Sequence, residues 1–198
     1  LPLSLGTAEA IPYGIVMVQA DQLAFQGGIT ICVIDSGIAL LHPDLRGYGH
    51  ISGSSDIGGA GPWDEDGYHH GTHVAGTISA IGGNSKGVAG VIPGDNVSLH
   101  VVRVFGGNGS WAYSSTLIAA LSECENAGAR IINMSLGGSF KSRTEDRAFR
   151  EAAARGILAI AAAGNDGSSR HSYPASYGSV VSVAAVDEFM QHAAFSQT

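Results

Sequence analysis

The sequence predicts an α/β fold in which a mostly parallel central sheet carries helices on both faces. The run Ile29 to Ile34, ITICVI, is apolar and β-branched without alternation, as expected of a strand covered on both sides in a parallel sheet. Runs of the same kind recur at Ser98–Phe105, Arg130–Ser135, Ile157–Ala163 and Val180–Val186, separated by segments with helical spacing. The 198 residues are 44% hydrophobic and 14% charged and include 29 glycines, which suits one globular domain over residues 1–198 with close backbone packing and tight turns.

Composition also narrows the function. A net charge of −7 argues against nucleic acid or an anionic membrane surface as partner. No apolar run is long enough to span a bilayer and no basic-then-apolar leader opens the chain, so it reads as starting the way a mature protein would. Cys32 sits in an apolar run and Cys124 in a predicted helix; buried free thiols are the default expectation and a disulfide is the alternative.

In chain order, turn formers at Pro2, Gly6, Pro12 and Gly14 lead into a short helix expected over Val16–Phe25, closed by Gly27 and Gly28. After the first strand comes Asp35, a carboxylate that is costly to bury without a partner; it either orients a histidine or caps a turn. Asp44 in the HPDL loop is free to bind a cation or cap a turn. Residues 47–67 read as an irregular surface loop whose acidic trio, Asp64, Glu65 and Asp66, could hold Ca²⁺ or favour basic substrate side chains, a solvated turn being the leading expectation. The stretch DGYHHGTHVAGTISAIG then opens a buried helix lined by Gly71, Ala75, Gly76 and Ala80, with His70 at its mouth. Unsatisfied amides and the positive dipole end there should disfavour imidazolium and leave His70 available as a base. A zinc site on His69 and His73 is the rival, but HExxH places a glutamate where this chain has His70, Gly71 and Thr72.

Residues 82–96 form a turn-dense loop, and Gly106–Trp111 another after the second strand. Ser114 could cap a helix whose Leu117, Ile118, Leu121 and Cys124 face the core, with Gly128 as its stop. Ser142 and Glu145 make a capping box for a helix presenting Ala148, Phe149, Ala152 and Ala153 on one face, ended by Gly156. Asp35, Ser135 and Asn165 all fall at carboxyl ends of strands, where α/β sheets bind ligands. That coincidence points to an enzyme.

Four motifs in order, VIDSG (Val33 to Gly37), HGTHVAGT (His70 to Thr77), NMSLGG (Asn133 to Gly138) and AAAGNDG (Ala161 to Gly167), together resemble the subtilisin-like serine proteases over nearly the whole chain. The resemblance implies an Asp-His-Ser triad, with Asp35 as orienting acid, His70 as general base and Asn165 as side-chain donor to the oxyanion. It further implies that Ser135, Leu136 and Gly137 pair with the substrate backbone opposite Gly109, Ser110 and Trp111. Ala163 and Gly164 would wall the pocket for the residue before the scissile bond, and Tyr113 would lid a more distant one. A structural Ca²⁺ site is implied at Glu9, Asp44 and Asn84 with the carbonyls of Ile81, Lys86 and Val88. No serine here matches the family's GTSMA-like nucleophile, so the C-terminal quarter to third, with that serine, is expected outside this chain. The implied protein is a secreted, extracellular endopeptidase that acts on protein or peptide substrates and is completed by a segment or second chain bearing the nucleophile. Alternatively it is an inactive fragment that binds a peptide, propeptide or inhibitor.

Overall fold

The computed structural model describes residues 9–25, 27–45, 49–55, 57–93, 97–106 and 114–198. Its six strands are β1 (Ile29–Asp35), β2 (Ile51–Ser54), β3 (Val97–Arg103), β4 (Ile131–Met134), β5 (Leu158–Ala162) and β6 (Val180–Val183). They form one sheet in the order β2-β3-β1-β4-β5-β6, and every pairing is parallel. Around it lie α1 (Tyr13–Met17), α2 (His70–Ser79), α3 (Ser114–Asn126) and α4 (Arg143–Ala154).

The chain starts at central β1, moves outward to β2 and β3, then recrosses β1 to lay down β4, β5 and β6. Right-handed crossovers made in opposite directions put helices on opposite faces. One core layer accordingly joins Ala75 of α2 to Ile31, Val97, Leu99 and Val101. The other joins Leu117, Leu121 and Phe149 of α3 and α4 to Cys32, Ile34, Val102 and Ile132. Reversal of strand order beside β1 opens a crevice at the carboxyl ends of β1 and β4, where such sheets place their ligands.

Several expectations need correction. Β2 lies within the segment read as an irregular loop. It is a short edge strand, and Gly53 is there because a Cβ would stand 2.3 Å from the Trp63 ring that covers it. The helix expected over Val16–Phe25 instead ends at Met17, since Gln19 turns into the left-handed region at φ 58, and a 3₁₀ turn follows at Ala20–Gln22. Cys32 and Cys124 are joined in a disulfide across 92 residues, fastening α3 to β1, so the free-thiol default fails. Sheet cover thins at its far side, where Leu158, Val181 and Val183 are exposed.

The capping box at α4 is half made. Ser142 Oγ accepts from Glu145 N–H at 3.3 Å, but the Glu145 carboxylate accepts from the Tyr177 hydroxyl instead of reaching back, and Ser142 N–H donates to that same hydroxyl at 3.0 Å. Phe149 and Ala152 face the core as expected, whereas Ala153 is exposed.

Candidate active site

Asp35 ends β1 fully buried, at 0% exposure. Its Oδ1 lies 2.7 Å from His70 Nδ1 and accepts the Ser36 N–H at 2.7 Å. A carboxylate only accepts, so Nδ1 carries the hydrogen and Nε2 keeps its lone pair. The His70 side chain is 43% exposed, so the ring stays reachable from solvent.

What brings these two together is the absence of side chains between their backbones. Gly71 lies so close to the loop after β1 that a Cβ would stand 2.1 Å from Gly37 O and 3.2 Å from Asp35 Oδ1. His69, just before α2, is left-handed at φ 65, which turns the chain sharply into the helix at His70. The Asp35 hydrogen bond holds the His70 imidazole above its ordinary range; burial opposes it, and the charges of Asp35 and Asp66 add to the rise. This reverses the expectation that the helix start would disfavour imidazolium. A hydrogen bond to the buried Asp35 carboxylate favours the charged ring by more than burial disfavours it.

Asp66 is the residue that sequence reasoning missed. Far from lying in a solvated turn, it is buried and accepts the backbone N–H groups of His69 and Thr72 at 2.8 and 2.9 Å. The available signal was its place four residues before His70, since aspartate near a helix start is a capping residue.

Beyond the ends of β4 and β5, Ser135, Leu136 and Gly137 line one side of a pocket of about 320 Å³ and Gly164 and Asn165 line another. Ala163 is not among the lining residues; Ala162 takes that place. Gly138 and Tyr173 exchange two backbone hydrogen bonds of 2.9 and 2.8 Å, which hold the far wall. Ser172 and Gln197 also line the pocket and were not anticipated, because neither belongs to a motif. A Cβ at Gly137 would meet Ser172 Oγ at 2.5 Å, and Gly164, at φ 116, has the Gln197 amide packed against it. Gly109, Ser110, Trp111 and Tyr113 lie outside the described residues.

Residues expected to hold calcium converge on one loop cluster. Glu9 accepts the Gly83 N–H on both carboxylate oxygens, at 2.8 and 2.9 Å. Asp44 takes the Asn84 amide at 2.7 Å and the Val88 N–H at 2.9 Å, its backbone carbonyl accepts from Ile81 N–H at 3.0 Å, and Asn84 Oδ1 accepts from Lys86 N–H at 2.7 Å. Among the described residues no group of three or more His, Cys, Asp and Glu is placed to hold a metal.

A family model described as the subtilase family, peptidase S8, matches residues 26–198. Subtilisin DY of Bacillus licheniformis is 42% identical over 197 residues, covering 96% of this chain and 69% of that protein. An alkaline protease of Alkalihalobacillus alcalophilus is 41% identical over 194 residues, covering 96% of this chain but 49% of its own length. The crystal structure of the psychrophilic subtilisin-like protease Apa1, from the Antarctic psychrotroph Pseudoalteromonas sp. AS-11, superposes with a TM-score of 0.89 at 49% identity. That match covers 96% of this chain and 44% of Apa1. The chain thus spans between 44% and 69% of the length of these relatives.

Proposed function

The chain belongs to the subtilase family, and from that premise we propose that it carries the acid and the base of a serine endopeptidase whose nucleophilic serine lies outside these residues. The observation that supports this most is the 2.7 Å bond from His70 Nδ1 to a fully buried Asp35 carboxylate. That bond fixes the tautomer in which Nε2 accepts a proton.

In the proposed reaction, Nε2 of His70 takes the proton of the serine hydroxyl as its oxygen attacks the scissile carbonyl. The imidazolium so formed is stabilised by Asp35, and its proton then passes to the leaving amine. Asn165 donates its side-chain N–H to the oxyanion, and the segment Ser135–Gly137 pairs with the substrate main chain, a mode that reads peptides largely irrespective of sequence. Water replaces the amine and hydrolyses the acyl-enzyme by the same proton path in reverse.

The loop cluster fits a structural Ca²⁺ ion by its chemistry. Glu9, Asp44 and Asn84 supply hard oxygens, with the carbonyls of Ile81, Lys86 and Val88 to complete the shell. The fit is supported by the close wrap of the loop: a Cβ at Gly87 would stand 2.2 Å from Asp44 Oδ2. Bound there, the ion would tie the segment at Glu9 to the loops at Asp44 and Asn84.

A buried disulfide between β1 and α3 supports maturation in an oxidising compartment, and with it secretion. Protein substrates follow from the family, and no helix among the described residues is long and apolar enough to cross a membrane. The test is hydrolysis of a peptide anilide by the polypeptide that joins this chain to its downstream segment. Turnover abolished in His70→Ala supports the reading; turnover equal to the parent's, or a folded parent that binds peptide without cleaving it, overturns it.

A further inference from the structure

Asp66 makes four hydrogen bonds while 6% exposed. Its Oδ1 accepts from His69 N–H and from the Ser36 hydroxyl, both at 2.8 Å. Its Oδ2 accepts from the backbone N–H of Thr72 at 2.9 Å and from the Thr72 hydroxyl at 2.6 Å. Each hydroxyl passes the connection on: Ser36 Oγ accepts the Gly71 N–H, and Thr72 Oγ1 accepts the Ala39 N–H, both at 2.9 Å. One carboxylate therefore ties the first turn of α2, His69 to Thr72, to the loop after β1, Ser36 to Ala39. Ser36 is also the residue whose N–H donates to the Asp35 oxygen that His70 uses.

The loop before Asp66 is itself pinned. Arg103, paired in register with Asp35 across the β1–β3 ladder, is buried and donates to the carbonyls of Pro62 and Glu65 at 2.8 and 3.0 Å. A cap that needed only to end a helix could be a serine. Here an ionised group is buried and given four donors, an arrangement that holds negative charge in place and strengthens each bond.

We propose that Asp66 is a positioning residue for His70: it locks the first turn of α2 against the loop carrying Asp35 and places a second fixed negative charge at the same helix start. Its charge adds to that of Asp35 in favouring the protonated ring. The other charged or titratable groups around this helix start are Arg103 on β3, Asp64 and Glu65 in the preceding loop, Tyr68 and His69 just before α2, His73 on α2, and His42 and Asp44 across the pocket that His69 and His73 line. Of all these charges, those of Asp35 and Asp66 are the ones that raise the His70 imidazole. The inference rests on His70 being the base, but its test does not need catalysis.

The His70 ring is followed by NMR against pH in this chain, its signal assigned by His70→Gln. Asp66→Asn keeps the shape of the side chain and removes its charge, and its His70 midpoint is expected at lower pH than in the parent. Thr72→Val removes one partner of the clamp and leaves the charge, so it lowers stability with a smaller change in that midpoint. A folded Asp66→Asn chain with an unmoved midpoint, or a Thr72→Val chain with an equal shift, overturns the proposal. The parent supplies a measurement that needs no variant at Asp66: the carboxyl carbon of Asp66 is expected to inflect at the His70 midpoint, and to lose that inflection in His70→Gln. A flat Asp66 signal through that midpoint also overturns it. Inactivity of the joined polypeptide would fail the protease reading while leaving these midpoints untouched.

Discussion

Gly71 stands against the carbonyl oxygen of Gly37 with no room for a methyl group: a Cβ there would lie 2.1 Å from that oxygen. Backbone cannot step aside as a side-chain tip can. Gly71→Ala should therefore push α2 away from β1, at a cost of about 1–3 kcal/mol for overpacking. The helix that moves carries His70, so the Asp35 bond lengthens and the imidazole midpoint falls back toward its ordinary value. Urea denaturation and NMR titration of the same variant check both halves. Unchanged stability with an unchanged midpoint would count against the contact.

The two perturbed histidines should tilt the pH dependence of stability in opposite directions. His100 is buried on β3, and burial pushes its pKa below 6.5, with the Glu123 charge opposing. Its network has one consistent direction. Ser54 Oγ donates to Glu123 at 2.9 Å and so accepts from His100 Nε2–H at 3.1 Å, leaving Nδ1 to accept from Ser52 at 2.9 Å. The folded ring resists a proton that the unfolded ring takes, so its contribution is present above pH 6.5 and lost as pH falls below it. His70 is raised, so its contribution is present below pH 6.5 and lost as pH rises through its folded value. His70 is partly exposed, and solvent screening makes its effect the smaller. Urea midpoints across about pH 5 to 8 should show His100→Gln flattening the acid side and His70→Gln the alkaline side. Parallel profiles in both variants would refute the assignment.

Legibility in the sequence followed burial pattern and motif, and failed where neither was present. Β1 announces itself because both faces are covered and its run is largely apolar, and β3 does so through Val97, Leu99, Val101 and Val102 although Ser98, His100 and Arg103 interrupt the pattern. Β2 does not, since ISGS offers one buried residue and its Gly53 is explained only by Trp63, ten residues on. Asp35 and His70 sit in recognisable motifs. Asp66 lies in an acidic run that looks solvated, and only the fold shows four donors converging on it. Pairing of Cys32 with Cys124 is likewise a tertiary fact, set by α3 packing over β1.

Removing that disulfide should destabilise the fold strongly. The bridge closes a loop of 92 residues, for which chain entropy predicts about 4–5 kcal/mol. Both sulfurs belong to residues at 0% exposure, so reductant should act through unfolding. A Cys32→Ala/Cys124→Ala chain should show a lower urea midpoint in oxidising and reducing buffer alike, and the parent should approach it only once reduced. Equal midpoints for oxidised parent and double variant would show that the bridge adds nothing.

If the Glu9–Asp44–Asn84 cluster holds Ca²⁺, chelation should lower the melting temperature, because the ion binds the folded form alone. At a free concentration of about 100 times the dissociation constant the linkage amounts to about 2.7 kcal/mol. Asp44→Asn should abolish the response while leaving an amide to face Val88 N–H. A transition unmoved by chelator and by added calcium would remove calcium from this fold.

Asn165 tests the oxyanion assignment separately from the acid–base pair. It is exposed at the pocket rim after Gly164, whose φ of 116 and closeness to Gln197 fix the turn that presents it. In the joined polypeptide, Asn165→Ala should lower kcat by about 10²–10³ with little change in KM, the size seen when one oxyanion donor is removed from subtilisin. The reason for the split is that the amide meets charge that exists only in the transition state, so ground-state binding does not depend on it. A rise in KM at constant kcat would instead make Asn165 a substrate contact and leave the oxyanion to other donors.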